Sequence, residues 1–303
     1  MFLHPDAQFY IDTLPTLSAA EQVNFGKDPA APGVVASHSA LDTEITGVPV
    51  RVYTPVSVAV EAALPCLIYF HGGGWAGGTL DMIDATVRSL VTGLPIIAIS
   101  VDYRLAPAHP FPAAIDDAFA VVSAVLEGTS GLEIDTSRVA IGGDSAGGNL
   151  AAVTAQQLRE HAVASAIVPA LAHQVLIFPV TDVSTTDTPS YLQFGADCYL
   201  TKEAMEHYIE QYADGHDRTD PRLSPLLAPD LSGLPPTTIV YGECDVLAHQ
   251  IRAYGQALLE AGNSVTVTEF MGQIHAFINL AGISSDARAA RRFIRAELEA
   301  ALC

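Results

Sequence analysis

The chain has 303 residues, 50% hydrophobic and 16% charged, which is enough for a large core and too apolar for a disordered segment. Its formal net charge is −20, with Lys27 and Lys202 the only lysines. That balance repels phosphate backbones and anionic membranes, so nucleic acid is excluded as a partner and the acidity reads as solubility.

In chain order, the opening MFLHPDAQFYIDTLP lacks a basic n-region and a long apolar stretch, so no signal peptide is read there. No run reaches the ~20 apolar residues that span a bilayer, and a cytoplasmic location without stable membrane insertion is expected. Residues 1–35 carry helix-like fragments. Strand patterns follow at VPVRVYT (48–54), PCLIYF (65–70), PIIAISV (95–101), RVAIGG (138–143), HQVLIFP (173–179), TTIVYG (237–242) and SVTVTEF (264–270). Several are unbroken apolar runs, as parallel strands covered on both faces require. Helix-like segments intervene at 79–91, 112–127, 146–161, 246–261 and 285–300. The alternation predicts an α/β fold with a mostly parallel sheet between helical layers. Residues 36–180 and 221–303 then form the sheet-bearing domain. Residues 1–35 and 181–220 form a helical cap over the strand ends, where ligands of such sheets bind. Cys66, Cys198, Cys244 and Cys303 show no C-x-x-C spacing and read as reduced thiols.

Residues 71–78 read HGGGWAGG, with five glycines in eight positions. Two readings compete. Gly72, Gly74 and Gly77 spell G-x-G-x-x-G, a loop for a dinucleotide pyrophosphate, with Asp102 at the end of the next strand. Alternatively, bare peptide N–H groups face an oxygen that becomes negative during acyl transfer.

Residues 142–148, GGDSAGG, favour the second. They join the strand RVAI to the helix-like NLAAVTAQQL and contain G-x-S-x-G at Gly143–Gly147. A sharp strand-to-helix turn lifts the Ser145 hydroxyl out at the sheet edge, and only small neighbours fit around it. A serine needs a base, and the base an orienting carboxylate. Asp245 follows the strand TTIVYG, and His275 follows SVTVTEF, so both project from the same edge as Ser145. Glu243 competes for the acid role, but two residues earlier it still lies along the strand. Asp182 also sits at a strand end and could line the cap. The catalytic set is therefore Ser145, Asp245 and His275. The N–H groups of Gly73, Gly74 and Ala146 form an oxyanion hole. No cluster shows metal-ligand spacing, and neither a metal nor a cofactor is expected.

With HGGGW at 71–75, YRLAPAHPFPAAIDD at 103–117, GDSAGG at 143–148 and SPLLAPDLSGLPPT at 224–237, the chain resembles the hormone-sensitive lipase family of α/β-hydrolases over nearly all its length after residue 40. The resemblance implies carboxylic ester hydrolysis without a cofactor, a two-segment cap, and the homodimer that the family often forms. Three departures stand out. Ala108 replaces the usual Glu, DVLAHQ replaces the commoner DPLRDE around the acid, and Ala276 replaces the commoner Gly after the histidine.

The expected function is a serine esterase acting on short- to medium-chain acyl esters, small molecules whose pocket would be walled by Trp75, Tyr199 and Leu200. Trp75 could instead pack the oxyanion loop. Amidase, deacetylase or transacylase chemistry would use the same groups. A non-catalytic receptor on this scaffold is a further alternative, opposed by the presence of His275.

Overall fold

A computed structural model of the chain describes residues 2–17, 37–56, 63–165 and 171–303. Its centre is an eight-stranded sheet. The strands are β1 (His38–Ile45), β2 (Val48–Pro55), β3 (Leu64–Phe70), β4 (Ile97–Val101), β5 (Ile134–Asp144), β6 (His173–Ile177), β7 (Thr237–Cys244) and β8 (Val265–Ile274), in the spatial order β1-β2-β4-β3-β5-β6-β7-β8. β1, β2 and β4 pair antiparallel, and every pairing from β4 across to β8 is parallel. The central strands β3, β4 and β6 are buried at every residue, which is why they read as unbroken apolar runs.

Helices cover the sheet. α2 (Leu80–Val91) and α8 (Ser285–Leu302) pack against each other; α2 lies on β4, and α8 spans β5 to β7. α3 (Ala113–Leu126) packs on α4 (Ala146–Ser165), which contacts β3, β5 and β6, while α7 (Ala248–Glu260) lies on β7 and β8. β5 is thus held by both α4 and α8, and Val139–Asp144 is buried throughout. Among the described residues, no helix is long and apolar enough to cross a membrane.

β1 has no counterpart among the expected strands. Its sequence, HSALDTEI, exposes the six residues between its ends. It is joined to β2 through Thr46 and Gly47, a two-residue turn with φ of 54° and 81°, the positive values of a tight hairpin. Asp42 and Glu44 place charge on this outermost strand, a common guard against edge-to-edge pairing.

The segments expected to form the cap carry α1 (Pro5–Thr13), then α5 (Pro189–Phe194) and α6 (Lys202–Ala213). Residues 18–35 of the first segment lie outside the described residues.

At the β7–β8 edge, Gly242 pairs with Phe270 but Cys244 pairs with Ile274, so the two residues ending β7 face four on β8. This bulge occurs at Gly272, with φ of 69°, and carries β8 forward until His275 follows Ile274 just as Asp245 follows Cys244. Glu243 stabilises the bulge by accepting the Gly272 N–H at 2.8 Å. The carboxylate weighed above as a rival acid is engaged in register-setting.

Candidate active site

The parallel strands β3, β5, β7 and β8 deliver the loops after Phe70, Asp144, Cys244 and Ile274 to one edge of the sheet. Ser145 occupies the turn between β5 and α4 with φ of 57°, a left-handed conformation that L-residues adopt at a cost. The turn is fixed by Ser145 N–H donating to Ile177 O at 2.9 Å, and by Ser145 O accepting from Asn149 at 3.0 Å and Val180 at 3.2 Å. Side chains cannot replace the flanking glycines. A Cβ on Gly147 would run into the Phe70 carbonyl, and one on Gly143 into the backbone of Gly147.

The structure brings Ser145, His275 and Asp245 together. His275 Nε2 lies 3.0 Å from Ser145 Oγ, and His275 Nδ1 lies 2.7 Å from Asp245 Oδ2. A carboxylate offers only lone pairs, so Nδ1 carries the hydrogen and Nε2 is left to accept from the serine hydroxyl. Asp245 is wholly buried, and its other oxygen accepts the Leu247 N–H at 2.9 Å. The Phe178 ring packs 4.7 Å from the imidazole, centroid to centroid. Ala276, with φ of 63°, explains why glycine is the commoner residue after this histidine.

The glycine loop is clamped one peptide at a time. His71 Nδ1 donates to Gly72 O at 2.8 Å; Gly73 O accepts from Gly77 N at 2.9 Å and Ala76 N at 3.2 Å. In a planar trans peptide, the C=O and the next N–H point in opposite directions. Fixing the carbonyls of Gly72 and Gly73 therefore aims the N–H groups of Gly73 and Gly74 the other way. These two, with Ala146 N–H at the start of α4, have no hydrogen-bond partner among the described residues. Burial pushes the pKa of His71 down, so the ring is neutral and serves as a strut.

Asp144 braces the same loop. Its Oδ1 accepts from Tyr69 Oη at 2.9 Å and from Gly72 N–H at 3.1 Å, while burial pushes its pKa up. It was missed in the sequence although it is the variable residue before the serine in G-x-S-x-G.

A cavity of about 440 Å³ opens over these groups. Ser145, His275, Gly73 and Gly74 line it from the sheet side. Tyr10, Leu14, Tyr199, Leu200, Met205 and Tyr208 line it from α1 and the turn after it, from α6 and from the loop before α6. Tyr199 and Leu200 are thus at the cavity. Tyr199 has φ of 70° and meets Tyr10 edge-on at 5.6 Å.

Trp75 is not. It is fully buried and stacked on Tyr212 of α6, with centroids 4.5 Å apart and planes 6° from parallel, and it is absent from the cavity lining. Its φ of 57° turns the indole under the loop, where it fastens α6 to the glycine segment. Asp182 is also absent from the lining; its Oδ1 accepts from the Ser184 N–H at 2.8 Å and the Ser184 hydroxyl at 2.6 Å within its own turn. Tyr10, Tyr208, Phe178 and Asn279 line the cavity without having been singled out in the sequence. Among the described residues, no three His, Cys, Asp or Glu side chains gather as a metal site would need.

A family model described as the alpha/beta hydrolase fold matches residues 67–279. The carboxylesterase NlhH of Mycobacterium tuberculosis is 39% identical over 241 residues, covering 78% of this chain and 73% of that one. An ethyl acetate hydrolase of Pseudomonas putida is 38% identical over 240 residues, covering 79% and 74%. Among solved structures, an ester hydrolase from the metagenome of Lake Arreo superposes with a TM-score of 0.87 at 34% identity, covering 98% of both chains. The esterase of Pyrobaculum calidifontis gives 0.84 at 30%, again covering 98% of both. With the elbow, the strand order and these relatives in agreement, the chain belongs to the α/β-hydrolase family, on its hormone-sensitive-lipase-like carboxylesterase branch.

Proposed function

We propose that this carboxylic ester hydrolase works through Ser145, His275 and Asp245 by way of an acyl-enzyme, on short- to medium-chain acyl esters. The observation that carries the reading is the continuous contact Asp245–His275–Ser145, at 2.7 and 3.0 Å, ending in a cavity beside unpartnered peptide N–H groups. His275 Nε2 takes the Ser145 proton as Oγ attacks the ester carbonyl. Asp245 holds the ring in the required tautomer and stabilises the imidazolium. The N–H groups of Gly73, Gly74 and Ala146 receive the oxyanion; one such donor contributes roughly 10²–10³ in rate. The imidazolium then returns its proton to the leaving alcohol. Water, deprotonated by the same nitrogen, attacks the acyl-serine and releases the acid.

The helices of 1–35 and 181–220 act as a cap in this proposal, supported by the side chains they contribute to the cavity. The cavity's volume, about 440 Å³, suits a small ester rather than a triglyceride. A cytoplasmic setting and a homodimer belong to the same proposal, on composition and family habit respectively.

The test pairs turnover with labelling. Wild type should hydrolyse p-nitrophenyl butyrate and take up a fluorophosphonate probe on Ser145. Ser145→Ala should lose the label and roughly 10⁶ in kcat while its circular dichroism is unchanged. An alanine variant that retains near-normal turnover would remove Ser145 from the mechanism. A wild type that neither takes the label nor turns over any ester would be a binding protein, whereas labelling without ester turnover would favour amidase, deacetylase or transacylase chemistry on the same serine.

A further inference from the structure

Asn279 stands in the helical turn Phe277–Leu280, in contact with the cavity. Its side-chain orientation follows from the partners behind it. Arg291 Nη2, on α8, donates to Thr86 Oγ1, on α2, at 3.0 Å. Guanidinium has no acceptor, so the hydroxyl must accept there, and its single hydrogen is left to donate elsewhere. That hydrogen goes to Asn279 Oδ1, 3.0 Å away. In this arrangement the hydroxyl both accepts from Arg291 and donates to Asn279, which turns the amide NH₂ away from Thr86. Thr86 and Arg291 are both buried, and Arg291 is further anchored by donating through Nε to Ile278 O at 2.9 Å. With Oδ1 committed, the Asn279 NH₂ has no partner among the described residues, and it is what this residue offers to the cavity.

We propose that Asn279 is a specificity-determining residue whose amide NH₂, held by the Arg291–Thr86 relay, hydrogen-bonds an oxygen acceptor on the ester away from the scissile carbonyl. The proposal rests on the esterase reading above and sharpens it: favoured substrates carry a second oxygen function, such as an ether, ketone or further ester carbonyl. An all-hydrocarbon ester of the same shape leaves the two N–H donors without a partner in the occupied pocket, and that mismatch is the source of discrimination.

The experiment uses the full chain and two series of esters, p-nitrophenyl alkanoates and alkyl acetates. In each, one methylene is replaced by an ether oxygen at successive positions. Every kcat/KM is divided by the hydroxide-catalysed rate of the same ester, which removes intrinsic reactivity. Wild type should favour the oxygen-bearing ester at one position by about ten-fold, mainly through KM. In Asn279→Leu that preference should vanish, and in Asn279→Asp, which presents acceptors only, it should fall below one. Thr86→Val frees the amide without altering any group at the cavity, and should reduce the preference by a smaller factor. A wild-type ratio near one at every position overturns the proposal, as does a preference that survives in Asn279→Leu. Because the wild-type panel is decisive by itself, a poorly folding variant cannot rescue the idea. If no ester of either series is hydrolysed, the esterase reading fails and this inference falls with it; turnover with flat ratios defeats this inference alone.

Discussion

Gly74 joins the glycine loop to the helix above it, and replacing it tests both at once. Its φ is 61°, where an alanine costs about 1–2 kcal/mol. A Cβ there would also lie 2.6 and 2.7 Å from Tyr208 Cδ1 and Cδ2, far inside van der Waals contact. Either the ring moves or the loop does. A loop displaced by a few tenths of an ångström takes the Gly74 N–H off the oxyanion, at roughly 10²–10³ in rate. We expect Gly74→Ala to lower kcat for p-nitrophenyl butyrate by about 10²-fold or more. Tyr208→Ala removes the obstructing ring. The double variant should then run at least about ten-fold faster than Gly74→Ala, retaining only the cost of the left-handed backbone. All four proteins are assayed as a cycle, so any effect of Tyr208→Ala on substrate binding is subtracted. A double variant as slow as the single one would show that ring contact does not hold the loop. A single variant within about three-fold of wild type would remove Gly74 from the oxyanion hole.

Other expectations follow from the same geometry. Asp245→Asn should reduce kcat by about 10⁴, because its amide stabilises the wrong histidine tautomer. Glu243→Gln, which can still accept the Gly272 N–H, should cost far less, and the opposite ranking in steady-state kinetics would move the acid role to Glu243. His38, His71 and His173 are all buried, and burial holds their pKa values below the ordinary 6.5. Below that pH the unfolded chain binds protons that the folded chain refuses. Their contribution is therefore complete above 6.5 and is lost as the pH falls from there toward the folded-state values. The urea midpoint, measured from pH 8 to pH 5 at constant m-value, should decline across that window; a level profile would contradict the neutral assignment.

The sheet was readable because burial on both faces leaves no room for polar residues in β3, β4 and β6. β1 escaped for the converse reason: HSALDTEI buries only its ends, and its pairing is dictated by β2 and the Thr46–Gly47 turn. Ser145, Asp245 and His275 could be located because each follows a strand directly, and parallel strands end together. Their alignment could not be foreseen, since it depends on the bulge at Gly272. Trp75 shows the limit of reasoning from proximity. A large ring in the oxyanion loop lies near the chemistry in sequence, but the sign of one backbone angle sends it into the core against Tyr212. Asn279 was out of reach because its orientation is decided by Thr86 and Arg291, which come from two helices distant in the chain.

One wall of the cavity comes from Tyr10 and Leu14, near one end of the chain, whereas His275 comes from near the other. His4 N–H donates to Gly272 O at 2.9 Å, tying that early segment to the bulge that carries His275 forward. During synthesis the Ser145 turn emerges long before the His275 loop does, so a partly made chain carries the serine with neither the imidazole beside it nor a complete cavity. The cavity is in this sense assembled late, closed only when the segment carrying Tyr10 and the loop carrying His275 meet.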